Sequence, residues 1–162
     1  MQATSSPKID QVRDMVILGV RNALATMVGI DAVPGSAEEY KVDEPSCVAG
    51  SVGFTGGVTG VVYVQIGEKF ARVLASKMLG MSEHEVVPEL ITDVIGELTN
   101  MFVGSVKSKL CDQGFPCVLT IPSVVRGRGL VVVSASSSER RTVGFRCGTH
   151  CIHVELILKV GG

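Results

Sequence analysis

"PELITDVIGELTNMFVGSVKSKLCD", residues 88–112, is the stretch on which the reading of this chain turns. Pro88 suits the first turn of a helix, where its missing N–H costs nothing. Gly114 and Pro116 close the far end. At 100° per residue, Ile91, Val94, Ile95, Met101, Phe102 and Ser105 fall within about 60° of Leu98 and form a core-facing stripe. Asp93, Glu97, Asn100 and Gly104 fall about 100–160° away, together on one flank. A long helix with a complete core stripe therefore carries a second, polar line. Gly104 in that line costs about 1 kcal/mol against alanine. It leaves bare backbone beside the Glu–Asn pair, suited to close approach by another macromolecule or by a neighbouring helix.

The rest of the chain supplies layers for this helix. Helical spacing of Ile9, Val12, Val16, Val20, Leu24 and Met27 predicts a first helix over about 8–29, after a loose tail at 1–7. Residues 31–46, polar and interrupted by two prolines, read as a connection. "SCVAGSVGFTGGVTGVVYVQIG", 46–67, reads as a hairpin about Gly56–Gly57, and its apolar second strand suits a sheet centre. "EKFARVLASKMLG", 68–80, reads as a helix capped by Gly80. Ser82 and Glu85 resemble a capping box, consistent with a short separate turn before Pro88.

Beyond the long helix the pattern is β: "PCVLTIPSVVRG" (116–127) strand or extended, "GLVVVSASS" (129–137) strand, "SSERR" (137–141) turn, then strands at 141–147 and 151–160. Helix-then-hairpin can be read twice, as a weak repeat. The fold class expected is an α+β two-layer sandwich, helices on one face of a mainly antiparallel sheet, with residues 8–162 as one domain.

Composition narrows the function. In 162 residues, 46% are hydrophobic and only 19% charged, with 15 basic against 16 acidic side chains. The net charge of −1 argues against a nucleic-acid binder. No apolar run approaches the ~18 residues of a membrane span, and no signal peptide is evident, so a cytoplasmic protein is expected. Five cysteines without a CxxC read as reduced thiols.

Several motifs invite chemistry and do not carry it. In "CGTHCIH", 147–153, a continuous strand would put Cys147, Cys151 and His153 on one face and turn His150 away. A near-straight line of ligands cannot surround a tetrahedral metal, so no metal is assigned. Arg126 and Arg128 read as a solvated turn, and His84 as surface. The glycines of "GFTGGVTG", 53–60, separate strands instead of opening a helix, which leaves nucleotide binding unsupported.

A glutamate and an asparagine on a solvated helix face are usually only that. Here, however, Glu97-Leu98-Thr99-Asn100-Met101-Phe102-Val103-Gly104 resembles the E-x-x-N-x-x-x-G signature of the CheC–CheX–FliY family of chemotaxis response-regulator phosphatases. "LITDVIGELTN" (90–100), "LASKMLGM" (74–81) and the order of elements over about 8–160 are similar to that family too. The first helix offers Asn22, but Gly19 stands three residues before it where the acid is needed. A single site is similar to the CheX-like branch.

The resemblance implies a phosphatase for the aspartyl phosphate of a CheY-like response regulator. Asn100 would orient the attacking water, and Glu97 would pair with a lysine of the partner. Asp93 and Gly104 would complete the docking face. No cofactor is expected in this chain itself, and Mg2+ is expected in the partner. The resemblance also implies a homodimer joined through sheet edges. Thr99, where relatives carry a small residue, and Ser105, where Asn is common, depart from the pattern. Thr99 lies on the other flank, so it is expected to alter packing. The rival function is a non-catalytic module that binds a response regulator.

Overall fold

In the computed structural model, residues 5–134 and 137–159 are described. Helix α1 (Ile9–Val28), strand β1 (Val33–Gly35) and the hairpin β2 (Ser46–Gly56)–β3 (Gly60–Gly67) come first. Helix α2 (Glu68–Leu79) and helix α3 (Pro88–Asp112) follow. Strands β4 (Cys117–Leu119), β5 (Ser123–Arg128), β6 (Ser138–Cys147) and β7 (His150–Lys159) complete the chain. The strands form one sheet in the order β1-β6-β7-β3-β2-β4, with β5 also paired to β2, and every pairing is antiparallel. This is the α+β sandwich the sequence led us to expect.

Local chemistry sets the element ends. Gly29 and Gly80 stop α1 and α2 in the left-handed conformation, at φ 65° in both. Glu44 accepts the backbone N–H of Lys69 at 2.8 Å and so caps the start of α2. Ser82 and Glu85 close a capping box on the short 3-10 turn at Glu83–Glu85, separate from α3. Alternate residues of the central strands (Val62, Val64 and Ile66 on β3; Ile152, Val154 and Leu156 on β7) are buried under the helices, and Phe54, Phe70, Phe102 and Phe145 fill the core.

Four expectations fail. Residues 31–46 are not wholly a connection: Val33–Gly35 pairs with Gly144–Arg146 as an edge strand. Val131–Val133 is not a strand. It finds no ladder partner, and Val131 and Val133 are 80% and 85% exposed. Residues 135 and 136 of that expected strand lie outside the described residues. Nor is 137–141 a turn beyond its first residue. Ser138–Arg141 already pair with Leu156–Lys159, and the hairpin turns at Gly148, φ 66°. Charged residues are tolerated there because they sit at the sheet periphery with partners: Arg140 binds Glu155 at 2.6 Å and the Val132 carbonyl at 3.1 Å, and Arg141 binds Asp10 at 2.8 Å. Finally, Met27 is exposed, while Met15, Gly19 and Ala23 join the buried face of α1. The expected tail falls partly on residues 1–4, outside the described residues.

Candidate functional site on helix α3

Helix α3 is covered on two sides. Thr99 is fully buried under β2, and its hydroxyl donates to the Ile95 carbonyl at 2.7 Å. A Cβ at Gly50 would stand 2.2 Å from Thr99 Oγ1, so Gly50 is the recess into which the threonine fits. Against α1, a Cβ at Gly19 would stand 2.8 Å from the Phe102 carbonyl oxygen and 3.2 Å from Ser105 Cβ. Burial therefore extends beyond the expected stripe to Gly96, Thr99, Val103, Val106 and Leu110, while Met101 and Ser105 are only half-buried. Thr99 thus takes part in packing, on the flank away from Glu97.

What this leaves uncovered is a narrow wedge. Asp93 and Glu97 are exposed, and Asn100 and Gly104 are half-buried. The four lie on one flank, each one turn from the next. Among the described residues, neither Asp93, Glu97 nor Asn100 makes a side-chain hydrogen bond or ion pair. A Cβ at Gly104 would meet nothing within 4 Å. Among the described residues no neighbouring helix packs there, so within the chain the second use the sequence allowed for this glycine is not taken up. The wedge presents two carboxylates, an amide and bare backbone at the surface. It holds no nucleophile–base pair.

The other motifs find ordinary roles. His150 stacks on Phe70 with centroids 4.5 Å apart, and His153 Nε2 lies 2.9 Å from Glu155 Oε1. Cys147 pairs with His150 across the turn and is buried, and burial pushes its thiol up to about 12, with Cys151 and Asp31 adding to the rise. Among the described residues no group of three His, Cys, Asp or Glu is placed to hold a metal, and all five thiols are free. Arg126 and Arg128 lie in β5 instead of a turn, and Arg126 pairs with Glu68. No described helix is long and apolar enough to cross a membrane.

Sequence reasoning missed the segment between β4 and β5. Leu119 pairs with Phe54 and Ser123 with Ser51, so Thr120, Ile121 and Pro122 oppose only Val52 and Gly53. The signal was Pro122, since a proline inside a β pattern marks an edge or a bulge.

The fold and the wedge together define the class: an α+β helix-on-sheet sandwich whose long helix leaves a Glu-x-x-Asn pair without an intramolecular partner. Comparison gives that class its family. The family model for the chemotaxis phosphatase CheX matches residues 48–146, and the chain belongs to this family. The CheY-P phosphatase CheX of Thermotoga maritima is 29% identical over 125 residues, which cover 76% of this chain and 81% of that protein. The crystal structure of the chemotaxis protein CheX from Desulfovibrio desulfuricans superposes with a TM-score of 0.76 at 25% identity, covering 92% of this chain and 99% of that one. In fold the chain is also similar to CheX of the CheX–CheY–BeF3–Mg2+ complex from Borrelia burgdorferi, with a TM-score of 0.75 at 20% identity, covering 92% and 98%.

Proposed function

We propose that this protein accelerates hydrolysis of the aspartyl phosphate of a CheY-like response regulator, with Glu97 and Asn100 as the residues that act. The observation that carries this reading is the Glu97–Asn100 pair, held on a buried helix yet without an intramolecular partner. Its support is membership of a family whose Thermotoga maritima relative is a CheY-P phosphatase.

An acyl phosphate is already activated, so the helper has to position water more than it has to supply a base. A neutral amide can both donate to and accept from that water without repelling the phosphate. Asn100 orients the water in line with phosphorus. The water oxygen bonds to phosphorus as the bond to the aspartate oxygen breaks, and inorganic phosphate and the free carboxylate leave. Glu97 forms a charge-assisted pair with a lysine of the regulator and fixes the register. Asp93 flanks it, and Gly104 lets the regulator's backbone come close. Mg2+ belongs to the regulator's own acidic pocket. The protein works in the cytoplasm, where its substrate is. Self-association through sheet edges is supported by apolar side chains left open on the edge strands β4 and β5, at Val118 and Val125.

The deciding experiment follows the decay of a regulator phosphorylated with a small phosphodonor, alone, with this protein, and with its Asn100→Ala variant. Fast decay that disappears in the variant is expected. Binding without faster decay would identify a non-catalytic docking module instead.

A further inference from the structure

We propose that Ile121 is an apolar anchor for the same response regulator, displayed beside the α3 wedge by the three-residue bulge between β4 and β5. The inference rests on the reading of the α3 face given above and adds a recognition residue that lies outside the signature.

The bulge is built and held. β4 pairs with Phe54–Gly56 and β5 with Ser46–Ser51, so both flanks are tied to the same strand. Thr120 fastens the middle twice: its N–H donates to the Gly53 carbonyl at 2.9 Å, and its Oγ1 accepts the Gly53 N–H at 2.9 Å. Pro122 has no N–H with which to continue the ladder. The segment has one residue more than its partner strand, and excursions of this kind re-aim a side chain. Ile121 is 86% exposed on this fixed support. An isoleucine there contributes nothing to the core.

Position supplies the occupant. A Cβ at Gly96 would lie 3.7 Å from Pro122 Cβ and 3.5 Å from Val124 Cγ2. Gly96 is one turn before Asn100 and next to Glu97, so the bulge runs alongside the wedge. The wedge itself offers Asp93, Glu97, Asn100 and a glycine, without one exposed apolar side chain. Macromolecular interfaces draw most of their affinity from a few desolvated apolar or aromatic anchors. The wedge alone can set register but lacks such an anchor. Ile121, the residue before Pro122 on that bulge, supplies one.

The test is a steady-state titration of phosphorylated regulator with wild type, Ile121→Ser, Ile121→Leu and Asn100→Ala, with sedimentation of each protein. Loss of one desolvated isoleucine is expected to raise KM roughly ten- to a hundredfold, with kcat little changed. Ile121→Leu should stay close to wild type, and Asn100→Ala should lose kcat. An unchanged KM in Ile121→Ser, with wild type active and Asn100→Ala inactive, overturns the anchor and leaves the phosphatase reading standing. A serine variant that changes from dimer to monomer assigns Ile121 to a contact between copies and overturns it too. A wild-type protein inactive on the regulator removes the reading and the anchor with it.

Discussion

Helices α1 and α3 each carry an asparagine with a residue of interest three positions before it, and each carries a glycine near its middle. They use these residues in opposite ways. In α1 the position before Asn22 is Gly19, and it faces inward: its Cα is pressed so closely on α3 that a Cβ would meet the Phe102 carbonyl oxygen at 2.8 Å. A glutamate cannot occupy that site while the helices stay packed. In α3 the equivalent position is Glu97, in solvent, and the glycine is Gly104, with open space around it. One glycine exists so that two helices can touch. The other has no packing reason to exist. The close packing of α1 on α3 at Gly19 thus explains in physical terms why the chain has one Glu–Asn pair and not two.

The comparison can be broken most severely at the two asparagines. Asn100→Ala should reduce the acceleration of regulator dephosphorylation by about a hundredfold or more, since a misplaced reactant costs that much. Asn22→Ala, at a more exposed position, should leave the rate unchanged; a loss there in the same decay assay would mean that α1 has a working site after all. Neither should shift the melting temperature by more than a surface substitution does, about 0.5 kcal/mol in equivalent stability.

The glycines come next. Gly19→Ala forces a methyl against backbone and should destabilise by about 1–3 kcal/mol, which calorimetry would register as a drop of several degrees. Gly104→Ala should do the reverse, adding about 1 kcal/mol of helix stability while slowing dephosphorylation, because the methyl enters the space the regulator needs. A variant that is both more stable and fully active would remove Gly104 from the docking face.

The smallest effect concerns how α1 is tethered. The Arg141 guanidinium, which binds Asp10, holds that carboxyl below its ordinary value, and Arg13 adds to this. A depressed carboxylate pKa contributes stability that is present above the unfolded value, near 3.8, and is lost as pH falls through the folded one. An NMR titration should show Asp10 moving back up in Arg141→Ala. Because Asp10 lies at the exposed surface, the change in stability should be slight and fade with salt.

How much of this was legible in the sequence depended on whether a residue's partner was local. The limits of α3, the separate turn before Pro88 and the Gly80 cap all depend on neighbours within a few positions, and all were read correctly. So was the wedge, which follows from helix geometry alone. The β-rich end was harder. Val131–Val133 has every local mark of a strand but lacks a partner, whereas Ser138–Arg141 looks like a turn and is a strand because Leu156–Lys159 lies beside it. Gly19 and Gly50 were likewise silent, because the groups that press on them, Phe102 and Thr99, are far away in the chain.

The recess at Gly50 has a consequence for the family's history. Thr99 and Gly50 are 49 positions apart yet share one small volume, with no room for a Cβ on the strand while the threonine fills it. A lineage that acquired a side chain at position 50 had first to trim position 99 to glycine or alanine, and the reverse order holds for gaining the threonine. Across relatives the two sites should therefore covary as a pair, tracing a mutational path that had to pass through the smaller residue.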